Sequence, residues 1–292
     1  METAARISAF DGPSPDTVLS ERAFRAVQSL VHERIGINLT DAKRDLVRTR
    51  LIKRLRALRC ESFDAYLELV ANPAHDDELQ QLMMAITTNV TDFNREPHHF
   101  RHFREHALPL VRERLASREP ARIWSAGCSD GREPYTLGSV ILQAMPDAAR
   151  KDIRILATDI DRNMLERARQ GRYGGDNAAK LPRDIADCGF DRDGDGVAAK
   201  GDLKTLVSFR ELNLIGDWPM RRRFQAIFCR NVLIYFTRDL QARLFERFAG
   251  QLEPGGFLYI GHSERMHGPV ARDFVQSDIT TYRYLPGRGG TA

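Results

Sequence analysis

Residues 121–138 read ARIWSAGCSDGREPYTLG. The apolar ARIWSA (121–126) predicts a strand, Gly127 and Gly131 bracket a short turn, and a helix begins after it at Arg132. A glycine turn between strand and helix lets a ligand approach the backbone at the carboxyl edge of a parallel sheet. The spacing is not GxGxxG, so alone it describes an ordinary βα turn equally well. The next strand, IRILAT (153–158), runs into ATDID (157–161). An acid at that strand end accepts both hydroxyls of a ribose, and Asp159 holds the position. Asp161 is placed to cap the following helix, which leaves Asp159 for a ligand.

Further along, VSFRELN (207–213), FQAIFC (224–229) and GFLYIG (256–261) predict three more strands, with helices following Arg162 and Arg238. Apolar strands alternating with amphipathic helices imply an α/β fold with a parallel sheet covered on both faces. Residues 171–206 break the alternation and read as an insertion. Upstream, residues 18–90 read as a small all-helical domain. Ser20 suits the N-cap of a helix carrying Phe24, Val27, Leu30 and Val31 on one face, and Gly36 its end. Asp41 is expected to cap a second helix whose apolar stripe is Val47, Leu51, Leu55 and Leu58; amphipathic segments follow at Phe63 to Val70 and Glu78 to Ile86. The expected organisation is a tail at 1–17, the helical domain at 18–90, an α/β domain at 91–286 with its insertion at 171–206, and a tail at 287–292.

Charge is local. Between Lys43 and Arg59 stand eight basic residues (Lys43, Arg44, Arg48, Arg50, Lys53, Arg54, Arg56 and Arg59) against one acid, Asp45. Of these, Arg48, Lys53, Arg56 and Arg59 project opposite the apolar stripe and are expected to meet an acidic partner. The acids that follow, from Glu61 to Glu78, make the region nearly neutral as a whole, and the net charge of +4 is modest, so nucleic acid is not the expected partner. No apolar run approaches the roughly 18 residues of a membrane span, and the first residues lack a secretion signal's apolar middle, which predicts no membrane insertion and a cytoplasmic location. Cys60, Cys128, Cys188 and Cys229 form no CxxC pair and read as reduced thiols.

TNVTDFNREPHHF (88–100), WSAGCSDGREPYTLG (124–138), ATDID (157–161) and IFCRNVLIYF (227–236) together resemble the signature blocks of the chemotaxis receptor methyltransferases, the CheR family, in order and spacing. The resemblance implies a class I S-adenosylmethionine-dependent methyltransferase with a Rossmann-like, mostly parallel sheet, a small all-helical N-terminal domain and an inserted β-subdomain. It implies S-adenosylmethionine as cofactor, S-adenosylhomocysteine as product, and the helical cytoplasmic region of chemoreceptors as substrate of a monomeric enzyme. Asn89, Thr91 and Arg95 resemble the residues around the cofactor's methionine part; Gly127 and Glu133 match the glycine turn and its helix, and Asp159 the ribose acid. Asn213 and Leu214, with Arg230 and Asn231, match stretches near the adenosine and the methyl donor, and Tyr235 an active-site tyrosine. Two positions depart: Arg132 stands where the family has the first of two acids before Pro-Tyr, and Asp130 replaces a threonine. The rival readings are a small-molecule methyltransferase and a non-catalytic scaffold that binds the cofactor as a signal.

The implied chemistry asks mainly for placement. A glutamate with a pKa of about 4.3 is already an ionised nucleophile at neutral pH, so no general base is needed. Arg95 and Tyr235 suit the catalytic work of aligning it and excluding water. Arg95 would hold a carboxylate of either substrate or cofactor; its alternative partners are Glu96 and Asp92. No metal is expected. His98, His102 and His106 have four-residue spacing on a helix begun by Pro97, yet they read as solvated or packing histidines because no third ligand block follows. Cys128 reads as an inert small residue beside the cofactor. DRDGDGVAAKGD (191–202) imitates half a calcium loop, but Asp202 fills the twelfth position and LKTLVSF reads as a strand, so a β-hairpin turn is expected. In the family this subdomain can dock a receptor's C-terminal pentapeptide; the acidic loop departs from the basic pattern tied to that docking.

Overall fold

Ser20, extended at φ −60 and ψ 158, accepts a hydrogen bond from the Ala23 amide and so starts α1 (Glu21–Ile35), which ends where Gly36 turns left-handed at φ 74. In this computed structural model, which describes residues 17–87, 89–178 and 181–287, α2 (Arg44–Leu58), α3 (Phe63–Ala71) and α4 (Asp76–Ile86) follow. The expected tails fall on residues 1–16 and 288–292, outside the described residues, apart from Thr17 and Gly287. The chain divides into two compact units, Met1–Thr88 and Asn89–Ala292.

The first unit corrects two expectations. Asp41 caps nothing: Asp41–Lys43 forms a 3-10 turn, and the Asp41 carboxylate pairs with Arg25 at 3.1 Å. Leu58 is 37% exposed, so the buried stripe of α2 is Val47, Leu51, Ile52 and Leu55. The basic run is divided by function. Arg54 donates to buried Glu78 at 3.0 Å through Nε and at 2.5 Å through Nη2, and Tyr66 donates to the same carboxylate at 2.8 Å. Arg50 donates to the carbonyls of Ala85, Ile86 and Thr87, which satisfies the end of α4. Lys53, Arg56 and Arg59 remain exposed, and Arg48 is half-buried.

In the second unit α5 (Pro97–His102) and α6 (Leu108–Ala116) lead into β1 (Ala121–Ala126), α7 (Arg132–Ala144), β2 (Ile153–Asp159) and α8 (Arg162–Gln170). The insertion comprises β3 (Arg172–Tyr173), α9 (Gly175–Ala178), α10 (Arg183–Gly189), β4 (Phe190–Asp193), β5 (Gly196–Ala199) and α11 (Gly201–Leu206). Then come β6 (Val207–Glu211), β7 (Phe224–Cys229), α12 (Arg238–Gln251), β8 (Leu252–Ile260), β9 (Phe274–Asp278) and β10 (Thr281–Tyr284). The main sheet has the order β6-β2-β1-β7-β8-β10-β9. The five strands from β6 to β8 run parallel, and β10 lies antiparallel between β8 and β9. Alternate residues of one strand enter two different cores: Ile123, Ile155 and Phe228 on one face, Trp124, Ile227 and Leu258 on the other.

The insertion forms its own sheet, β3-β5-β4. Asp193 pairs with Gly196 across a two-residue turn in which Gly194 has φ 62, as a hairpin requires. Leu203 to Leu206, expected in a strand, belong to α11; Leu203 and Leu206 are fully buried, and the strand starts only at Val207. No helix among the described residues is long and apolar enough to cross a membrane.

Candidate active site

Parallel strands bring the ends of β1, β2, β6, β7 and β8 to one edge of the sheet, and the turns leaving them carry the polar groups. After β1, Gly127 lies at φ 80 with its amide, and that of Cys128, donating to the Thr158 carbonyl at 2.7 and 2.9 Å. A Cβ on Gly127 would fall 2.4 Å from Val232 Cγ2, so a side chain would both strain the turn and collide with the loop after β7. Gly131, at φ 92, closes the turn at the N-terminus of α7.

Asp159 ends β2 and is 8% exposed. It is not free of partners as the sequence suggested: the Ser129 amide donates to Oδ2 at 2.7 Å and the Asp161 amide to Oδ1 at 2.9 Å. Each oxygen keeps a second lone pair, which is what two ribose hydroxyls need. Burial pushes its pKa up to about 6 from 3.8, against the opposing pull of the Asp161, Ser129 and Ile160 amides. Asp161 caps α8 by accepting from the Asn163 and Met164 amides, and it also accepts from Asn89 Nδ2 at 2.7 Å. Asn89 is thereby fixed beside the turn, and its carbonyl accepts from Ser129 Oγ at 3.4 Å.

Glu133 and Arg132, adjacent in sequence, face different partners. Ser125 Oγ donates to Glu133 at 2.7 Å and Arg230 Nη1 at 3.0 Å. Burial raises the Glu133 pKa, and Arg230 counters it. Arg132 turns to the other departing residue: its Nη2 lies 3.0 Å from Asp130, while Nη1 donates to the Thr91 carbonyl at 2.5 Å and lies 3.6 Å from Asp92. Its guanidinium sits over the rings of Phe93 and Tyr173, at 5.9 and 5.8 Å. Tyr173, at the start of the insertion, donates to the Asp130 carbonyl at 2.7 Å. The two departures thus form one ion pair that leaves Glu133 undisturbed.

Arg230, whose side chain is 2% exposed, also lies 3.3 Å from Glu96 and donates to the Arg95 carbonyl. Burial works to raise the Glu96 pKa, but Arg230 and the amide and imidazole of His262 overcome it and hold the group at about 2. Neither Glu96 nor Asp92 is the partner of Arg95, which donates to the Val90 carbonyl at 3.1 Å. Glu96, His98 and His99 bring donor atoms within 4.8 Å of one another, a different trio from the one the helical spacing suggested, and Arg230 already sits against its carboxylate. His102 packs between Tyr259, at 3.0 Å, and Ser277, at 2.9 Å. Burial pushes the Cys128 thiol well up, away from reactivity.

Asn213 Oδ1 accepts from the Ile215 amide at 3.1 Å and so shapes its own turn, in which Leu214 is buried. Asn231 is left-handed at φ 59, and Tyr235 is half-buried in the 3-10 turn Leu233–Tyr235. The sequence offers Glu96 only as a partner of Arg95 and gives no sign of Glu264: both are acids in irregular loops, identified by their burial and partners. Within the second unit the structure joins Asn89 to Asp159 through Asp161, Arg95 and Glu133 to Arg230, and Thr91 to Arg132, while Gly127 bonds to Thr158 and Asn231 to Glu264; Arg48, Lys53, Arg56 and Arg59 belong to the other unit.

Residues 22–87 match the family model described as "CheR methyltransferase, all-alpha domain", and residues 89–283 match "CheR methyltransferase, SAM binding domain". A "Probable chemotaxis protein methyltransferase" of Rhizobium etli is 42% identical over 263 residues, covering 87% of this chain and 97% of that one. The "Chemotaxis protein methyltransferase" of Escherichia coli is 38% identical over 271 residues, covering 90% and 91%. "Chemotaxis protein methyltransferase 2" of Pseudomonas aeruginosa is 38% identical over 247 residues, covering 82% and 85%.

Proposed function

The chain belongs to the CheR methyltransferase family and is an S-adenosylmethionine-dependent methyltransferase of chemotaxis, and we propose that it esterifies glutamate side chains in the helical cytoplasmic region of chemoreceptors. The residues fit the cofactor. The turn at Gly127 admits no side chain, and the buried Asp159 carboxylate beside it has spare acceptor capacity. In this reading Asp159 holds the ribose, Asn89, Thr91 and Arg95 the methionine part, and Gly127 lines the turn. Glu133 fixes Arg230, while Asn213, Leu214 and Asn231 line the adenosine side. When bound, the cofactor supplies an electrophilic sulfonium methyl group.

The protein's own part is orientation and exclusion of water. Arg95 holds a carboxylate through charge-assisted hydrogen bonds, and Tyr235 aligns the reacting oxygen. A glutamate nucleophile is ionised on arrival, so no residue has to remove a proton. The observation that carries the receptor as substrate is the exposed basic face of α2, Lys53, Arg56 and Arg59, which complements a helical surface bearing several glutamates. Such a reaction belongs in the cytoplasm, where that receptor region lies. The scaffold reading loses its motive, since Asp130 and Arg132 pair with each other at 3.0 Å and Glu133 keeps its own partners.

The test uses S-adenosylmethionine labelled in its methyl group and a receptor's cytoplasmic fragment. Label should pass to the fragment and leave as methanol under mild alkali, as an ester does. Label that resists alkali would mean methylation at nitrogen and would overturn the glutamate assignment.

A further inference from the structure

Glu264 is 5% exposed and follows the end of β8 by four residues. Its carboxylate accepts the Gly261 amide at 2.5 Å within its own loop, and the Asn231 and Ile234 amides, at 3.3 and 3.2 Å, from the loop after β7. One buried carboxylate thus joins two loops at the sheet edge that carries the site. Burying an ionised acid is unfavourable unless hydrogen bonds compensate, and an apolar residue would fill the same space at less cost. What the acid adds is direction, since it collects amides that otherwise have no common acceptor.

The loop it collects carries Arg230, Asn231 and Tyr235. Asn231 is held in the left-handed region, and the close approach of the two loops depends on Gly261: a Cβ there would fall 2.5 Å from Asn231 Nδ2 and 2.7 Å from its backbone nitrogen. Asn231 is therefore fixed from two sides, by the Glu264 carboxylate on its amide and by the bare Gly261 backbone against its side chain. Burial works to raise the pKa of Glu264, and amides of Gly261, Ile234, Asn231 and Leu233 oppose it, so the ionised form depends on this arrangement.

We propose that Glu264 is a positioning residue for methyl transfer: its carboxylate sets the Arg230–Tyr235 loop so that Asn231 meets the cofactor and Tyr235 the reacting carboxylate. The inference rests on the roles given above to Asn231 and Tyr235. Glu264→Gln keeps shape and puts an NH2 group against amide donors. Gly261→Ala leaves the carboxylate in place and presses on Asn231. For each, the affinity for S-adenosylmethionine is measured by calorimetry, and the transfer rate to the receptor fragment is measured with both substrates saturating, well below the thermal midpoint.

Both variants should lose about tenfold or more in kcat, with cofactor affinity weakened as well and far-UV circular dichroism unchanged. A purely structural Glu264 would lower the midpoint and leave kcat at low temperature as in the wild type, and that result overturns the proposal. If Glu264→Gln does not fold, Gly261→Ala decides, with the same two outcomes. Asn231→Ala and Tyr235→Phe run beside them as a test of the underlying roles. If these two impair the reaction while the Glu264 and Gly261 variants do not, positioning by Glu264 is wrong and the site assignment stands; if these two are silent, the site assignment itself fails and the proposal with it.

Discussion

Arg132 and Asp130 show how a charge beside the glycine turn after β1 is contained. Their side chains are 12% and 15% exposed, and removing one partner of a buried pair leaves the other uncompensated at a cost of about 3 to 5 kcal/mol. Arg132→Ala should destabilise the protein on that scale and, by releasing the Thr91 carbonyl, weaken cofactor binding; Arg132→Met with Asp130→Thr should recover most of the stability. Denaturant unfolding of the single and double variants checks this, and additive losses would show the pair to be uncoupled. Asp159 yields a pH prediction. Its folded pKa, about 6, lies above the ordinary 3.8, so its contribution to stability is fully present below 3.8 and is lost as pH rises through about 6. Ligand binding runs the other way, because only the ionised group accepts both ribose hydroxyls at full strength. Affinity for S-adenosylmethionine should rise with pH up to about 6 and then level, and Asp159→Asn should flatten the profile and bind at least about tenfold more weakly. A wild-type affinity that is constant across that range would remove Asp159 from the ribose. Asp159 was legible because strand-end acids have a positional meaning; its two amide partners were not, since they depend on how Ser129 and Asp161 turn.

At the scale of elements, strands whose faces are both buried spell themselves out as apolar runs, which is why ARIWSA and FQAIFC match β1 and β7 to the residue. The β9–β10 hairpin is not legible because β9, at the sheet edge, carries a mixed sequence in which only Phe274 of FVQSD is buried, and β10 is only four residues long. The α11 segment was misread because six residues with two buried leucines satisfy strand and helix templates alike. In α2, helical projection picked out Lys53, Arg56 and Arg59, which are exposed, and Arg48, which is half-buried, but it gave no sign of the partners that Arg50 and Arg54 hold on α4. The exposed and the partnered members make separable predictions. Lys53, Arg56 and Arg59 changed together to Glu should sharply reduce receptor methylation, more so at low salt, with cofactor affinity intact. Arg54→Ala should act on stability by stranding buried Glu78, at about 3 kcal/mol or more. Full methylation by the triple variant at low ionic strength would exclude this face as the recognition surface.

At the scale of the whole molecule, a helical unit and an α/β unit divide the labour: the first offers a basic face, and the second gathers polar side chains at the carboxyl edge of its parallel strands. The fold class was readable because alternation of strand and helix extends over most of the second unit. The pairing of Arg230 with Glu96 and Glu133, and of Glu264 with Asn231, was not, because these residues are far apart in sequence and meet only in the folded unit. The claim that unites the units is methyl transfer to receptor carboxylates, and peptide mass spectrometry of a chemoreceptor's helical cytoplasmic fragment tests it most directly. After incubation with this protein and S-adenosylmethionine, the account predicts one added methylene on particular glutamates, reversed by mild alkali and absent where those glutamates are replaced by alanine. The same added mass on lysine or arginine, or a fragment left unmodified while label passes to a small molecule, would contradict it.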